Sequence, residues 1–155
     1  MLSITRVADY ALIAMTDLAR HYPEPVKMRD ISARTGIPQP VLQKILTALV
    51  GRKLVRSIRG PDGGYFLGRP AEKTTFLDVV TAVEGSLKLT ECAGKSNGSP
   101  KRKCGVRRNC PNVESMRKVH RLVEELLAAI SVAHLAEDAV PEVLTITSVT
   151  RRRRR

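Results

Sequence analysis

"DISARTGIPQPVLQKILTALVGRKLVRSIRGPDGGYFLGRP", residues 30–70, joins two short helical patterns through a glycine and follows them with a basic hairpin. The first pattern starts near Met28, runs to about Arg34 and closes at Gly36, where a left-handed C-cap favours a residue with no side chain. The second places Pro40 in its first turn, where a missing N–H costs nothing, and carries Val41, Leu42, Ile45, Leu46 and Leu49 on one stripe before stopping near Gly51. Two short helices around a tight glycine turn are the helix-turn-helix pattern, whose second helix enters the DNA major groove. "LVRSIR" and "GYFLG" then read as strands flanking the turn "GPDG", with Gly63 and Gly64 expected to take positive φ. That hairpin is a wing. Arg52, Lys53, Arg56, Arg59 and Arg69 cluster on or beside it, as phosphate contacts require.

Upstream, Val7, Ala8, Ala11, Leu12, Met15, Leu18 and Ala19 recur at helical spacing, with Asp9, Thr16 and Asp17 among the polar positions between them. Pro23 and Pro25 end this helix because neither can donate to its hydrogen-bond ladder. Downstream, Phe76, Leu77, Val79, Val80 and Val83 predict a helix ending at Gly85. The longest pattern starts with Pro111 in its first turn and repeats Val113, Met116, Val119 or His120, Val123, Leu126, Leu127 and Ile130. A helix of that length has more apolar surface than a small winged domain can cover, so part of it is expected to pair with a second copy, which also suits DNA half-sites.

The expected fold class is therefore mainly α with a small β-hairpin wing: a winged helix-turn-helix DNA-binding domain plus a long dimerisation helix. Its expected organisation is a DNA-binding domain at 1–85, a cysteine-rich segment at 86–110, the dimerisation helix and following segment at 111–140, and a disordered basic tail at 141–155.

Of the 155 residues, 27 are Lys or Arg and 15 are Asp or Glu, a formal charge of +12, or +7 without the five terminal arginines. That balance suits a polyanion, with double-stranded DNA before a membrane because no basic amphipathic surface helix stands out. Asp9 and Asp17 interrupt the first apolar pattern, unlike a signal-peptide core, and no run approaches the roughly 18 apolar residues of a membrane span. The expectation is a cytoplasmic protein.

All three cysteines, Cys92, Cys104 and Cys110, fall within 19 residues of a Gly-, Ser- and Lys-rich stretch, "ECAGKSNGSPKRKCGVRRNC". An odd number in a reducing compartment points to metal or redox chemistry rather than a disulfide framework. Eleven residues separate the first pair and five the second, so the short gap of a zinc knuckle is absent. An iron-sulfur cluster tolerates wider loops and gains from backbone N–H groups such as those of Gly94, Gly98 and Gly105. Lys95, Lys101, Arg102, Lys103, Arg107 and Arg108 would lower the thiol pKa values and offset the charge of a thiolate-bound cluster. A structural zinc ion or a metal-free thiol switch is the alternative. A catalytic thiol needs a positioned base, and no local pattern ties His120 or His134 to Cys104 or Cys110, so neither an enzyme nor a small-molecule substrate is expected.

"DYALIAMTDLA", "DISARTGIP", "LVRSIRGPDGGYFLGRP", "DVVTAVEG", "LTEC" and the final pair of cysteines with five residues between them together resemble the IscR- and NsrR-type winged-helix iron-sulfur transcriptional regulators, over about residues 1–135. The resemblance implies a homodimeric factor, usually a repressor, with one cluster per subunit on Cys92, Cys104 and Cys110. It favours 2Fe-2S, with 4Fe-4S also known in such proteins. It implies base reading by Gln39, Pro40, Val41, Gln43 and Lys44, and approach of Arg59 and Gly60 to the minor groove. The chain departs from the pattern at Pro40 and Val41, which replace hydroxyl-bearing residues, and in the length of the gap between Cys92 and Cys104. Val113 stands where IscR-like proteins carry a histidine ligand, whereas Asp9 matches the NsrR-like carboxylate supplied by the partner subunit as fourth ligand.

Overall fold

The computed structural model describes residues 4–87, 89–90 and 109–139. Helix α1 spans Arg6–Arg20 and starts where the Thr5 hydroxyl accepts from the Ala8 N–H at 3.2 Å. Its inner stripe of Ala8, Ala11, Leu12, Met15 and Leu18 is buried as the spacing predicts, but Val7 is exposed. Asp17, which reads as a surface position, is buried too. The reason is Arg34, which crosses from α2 (Met28–Thr35) and donates from Nε and Nη2 to the two carboxylate oxygens at 2.9 and 2.8 Å. The hydrogen bond to Asp17 raises the Arg34 pKa above its ordinary value; partial burial opposes the rise, and the charges of Asp17 and Asp30 add to it.

Gly36 closes α2 at φ +73°, the left-handed cap that its position implied. Helix α3 (Gln39–Gly51) then crosses the core with Leu42, Ile45, Leu46 and Leu49 almost wholly buried. Strands β1 (Val55–Ile58) and β2 (Gly64–Leu67) pair antiparallel, Val55 opposite Leu67 and Ile58 opposite Gly64. Val26 adds a one-residue bridge to Tyr65, its N–H and C=O each bonding the other chain segment at 2.8 Å. The wing is thus rooted on the entry to α2 as well as on the exit from α3.

The turn differs from the sequence expectation. Gly60 takes the positive φ, +120°, while Gly63 and Gly64 do not. Their missing side chains serve close approach instead: a Cβ on Gly63 would lie 2.2 Å from the Ile58 carbonyl oxygen, and one on Gly64 2.6 Å from that of Val26.

A short 3-10 turn at Ala71–Lys73 leads into α4 (Phe76–Glu84), which opens on a reciprocal capping box between Thr75 and Asp78. Helix α5 covers Val113–Ala129, so Pro111 lies in the turn before it rather than in its first turn. The chain then stops being helical for a reason visible in the hydrogen bonds: Ile130 accepts from Phe76 N–H at 2.8 Å, and Val132 N–H donates to Thr74 at 2.8 Å. That stitch turns the backbone into α6 (Val132–Ala136), whose Val132 is fully buried in the same core as Met15 and Leu46. Arg20 seals the end of α6 by donating to the Ala136 carbonyl at 3.0 Å. The segment after the long helix therefore completes the winged domain. The basic tail at 141–155 lies outside the described residues.

Candidate nucleic-acid interface and cysteine site

The stripe of α3 that packs inward dictates what its other side presents. With Leu42, Ile45, Leu46 and Leu49 committed to the core, Gln39, Pro40, Gln43 and Lys44 are all exposed on the opposite side, near the helix start. Val41 is different: it is half-buried and packs on the core, leaving it less free to reach a base edge. Thr47, which the sequence reading omitted, is exposed one turn beyond Gln43 and donates to the Gln43 carbonyl at 2.8 Å. Spacing from Gln43 and Lys44 was the signal that would have found it.

On the wing, Arg56, Arg59 and Gly60 are exposed, as are Arg52 and Lys53 at the exit of α3. Arg69 is not part of that surface in the way the sequence suggests. Its guanidinium turns inward, donating to the Thr74 hydroxyl at 3.1 Å and pairing closely with Asp78, the carboxylate of the α4 capping box. It latches the wing exit to α4 and has little left to offer a phosphate. The other four cations make no ion pair among the described residues, so their charge remains available.

Of the cysteines, Cys110 is described: a free, partly buried thiol three residues before α5. Cys92 and Cys104 lie outside the described residues, and no group of three or more His, Cys, Asp or Glu side chains that could hold a metal occurs among the described ones. Near Cys110 in the chain the side chains differ in character. Val113 is half-buried and apolar, and Glu114 pairs loosely with Arg117 at 3.7 Å. Asp9 is exposed in the first turn of α1, along an open groove that Ile13, Thr16 and Arg20 continue. Three thiols beside many cations match the donor chemistry of an iron-sulfur cluster.

The histidines have other surroundings. His21 Nδ1 lies 2.7 Å from the Asp17 carbonyl, and His134 belongs to the capping box of α6. His120 is buried on the inner face of α5 with Nε2 3.3 Å from Glu124, and its Nδ1 has no hydrogen-bond partner among the described residues. No described helix is long and apolar enough to cross a membrane.

A helix pair with its second member exposed at the N-terminal end, followed by a cationic wing, defines a winged helix-turn-helix DNA-binding protein. The comparisons with known proteins agree and go one level further. Residues 4–138 match the model of the Rrf2 family, described as an iron-dependent transcriptional regulator, and the chain belongs to that family. The HTH-type transcriptional regulator IscR of Xenorhabdus nematophila is 35% identical over 144 residues, 92% of this chain and 83% of the relative. IscR of Erwinia tasmaniensis is 34% identical over 144 residues, covering 92% and 82%. Among solved structures, T. potens IscR superposes with a TM-score of 0.66 at 28% identity, covering 96% of each chain. CymR, the global cysteine regulator of B. subtilis, gives 0.69 at 25%, covering 89% of this chain and 98% of its own. The chain is accordingly an IscR-type DNA-binding transcriptional regulator and not an enzyme.

Proposed function

We propose that the chain is a dimeric repressor of the cytoplasm whose operator affinity follows an iron-sulfur cluster on Cys92, Cys104 and Cys110, reporting cluster supply, redox state or nitric oxide. The observation that carries this reading is where the cysteines fall. All three lie in the connection between the end of α4 at Glu84 and the start of α5 at Val113, and α4 packs on both α1 and α3. Ligands held in that connection alter the junction between the long helix and the DNA-reading domain.

Helix α5 supports the dimer. Its inner side, with His120 buried, packs on α4 of the same chain, while Val119, Leu122 and Leu126 stay more than two-fifths exposed on its outer side. An apolar row of that kind on a helix is covered by a second copy, which brings two α3 helices to two half-sites. Gln39, Pro40, Gln43 and Lys44, with Val41 behind them, then face base edges, and Arg59 and Gly60 approach the minor groove. The cluster, when bound, supplies redox and ligand-exchange chemistry; 2Fe-2S is favoured. Asp9 is exposed and so accessible to the partner's cysteine segment as a fourth ligand, and a carboxylate is a harder, more easily displaced ligand for iron than a thiolate.

Anaerobic purification followed by visible absorption, EPR and Mössbauer spectra with iron and sulfide analysis tests the cofactor. Equal iron and sulfide with thiolate-to-iron bands is the expected result. Zinc without sulfide would replace it with a structural metal site.

A further inference from the structure

A protein that lays a helix in the major groove and a wing in the adjacent minor groove must straddle the sugar-phosphate strand between them. Both grooves are bordered by that strand, and phosphate contacts set the register of the whole complex. The structure has a cleft beside the wing. It lies between the wing turn and the start of α2, has a volume of about 370 Å³, and is bordered by Lys27, Met28 and Arg29 on one side and by Gly60, Pro61 and Gly63 on the other.

We propose that this cleft is a phosphate clamp in which Lys27 and Arg29 grip the DNA backbone beside the wing. The proposal rests on the DNA-binding reading given above and adds to it two residues outside both the recognition helix and the wing.

Three observations converge on it. The bridge between Val26 and Tyr65, with both hydrogen bonds at 2.8 Å, fixes the residue immediately before Lys27 against β2, so the first cation is held at the wing root by backbone geometry. Lys27 makes no ion pair among the described residues, and Arg29 is 73% exposed with only its neighbour Asp30 at 3.3 Å, a surface pair worth little and easily exchanged for phosphate. The opposite wall combines the side chains of Ile58, Pro61 and Tyr65 with the bare backbone of Gly60, Gly63 and Gly64, on which a phosphate can close. Glu24, Asp30 and Asp62 are the carboxylates nearby in the chain, set against four cations there, Lys27, Arg29, Arg56 and Arg59.

Phosphate contacts carry no sequence information, so the signature is electrostatic and uniform across sequences. The test measures anisotropy of two labelled duplexes, one of random sequence and one enriched from a random library by the dimeric protein, over a salt series. Lys27→Gln with Arg29→Gln should reduce the slope of log K against log salt by about 0.9 per contact, roughly 1.8 per subunit and 3.6 for a bound dimer. Affinity for both duplexes should fall by the same factor, and the enriched motif should stay the same. Lys27→Arg with Arg29→Lys should keep the parental slope, and matched unfolding midpoints show that the fold is intact. A parental slope in the double Gln variant, or weakening confined to the enriched duplex, would overturn the clamp while leaving the DNA reading in place. A parent that binds neither duplex would overturn the DNA reading, and the clamp with it.

Discussion

Replacing Leu122 and Leu126 by Glu should split the proposed dimer without unfolding the subunit. Each leucine is still 44% and 43% exposed in a single chain, so that fraction of its burial remains to be gained from a partner. Complete burial of a leucine is worth about 1.5–3 kcal/mol, which leaves about 0.7–1.3 kcal/mol per residue for the interface. A two-fold axis counts both positions twice, and the loss comes to about 3–5 kcal/mol. At 1.4 kcal/mol per decade, Kd for dimerisation should rise roughly 10² to 10³ fold or more. Burying two carboxylates per copy adds to that cost. The inward face of α5 is untouched, so helical content and the packing on α4 should persist. Sedimentation equilibrium over a concentration series reads the change directly, with far-UV circular dichroism as the control. A variant with parental Kd would show that α5 does not carry the interface, and a variant that unfolds would show that the row is internal to the subunit.

Four further outcomes are expected. Arg59→Ala, at an exposed wing position with no ion pair among the described residues, should weaken operator binding by about 1–3 kcal/mol in a titration at fixed salt, and unchanged affinity would remove Arg59 from the interface. Replacing any one of Cys92, Cys104 or Cys110 by Ala should abolish stable cluster binding but keep the dimer, whereas Asp9→Ala should keep a cluster with an altered spectrum and faster decay in oxygen or nitric oxide; identical spectra and decay rates would reject Asp9 as a ligand. The bond between Asp17 and Arg34 should show a coupling energy of about 1–2 kcal/mol in a double-mutant cycle by urea unfolding, less than two buried charge-assisted bonds because the Arg34 side chain is 39% exposed; coupling within a few tenths of zero would mean that water replaces the partner fully.

The pattern of glycines, prolines and apolar spacing carried most of the architecture because those features act within a few residues. Gly36 needs only its own left-handed cap, and Pro40 needs only a helix start, so both announce a helix-turn-helix in one dimension. The exposed face of α3 follows from the stripe that opposes it. The grouping of the cysteines is a matter of composition, three thiols in a polar basic stretch, and two of them lie outside the described residues.

What required the third dimension was the choice among partners far apart in the chain. Asp17 and Arg69 are ordinary charges in sequence; each is drawn inward because a counter-charge on another segment, Arg34 or Asp78, arrives within hydrogen-bond reach. Gly63 and Gly64 are demanded by carbonyls of Ile58 and Val26, the latter 38 positions before Gly64, and no turn rule includes that strand. The periodicity of α5 could not say whether His120 or Val119 faces inward, because both directions satisfy a helical repeat; packing on α4 decided it. Local sequence sets the elements through short-range sterics and hydrogen bonding. Which charge is latched, which apolar row of α5 is left exposed, and which cations border the cleft at the wing are set by contacts between segments that the sequence keeps apart.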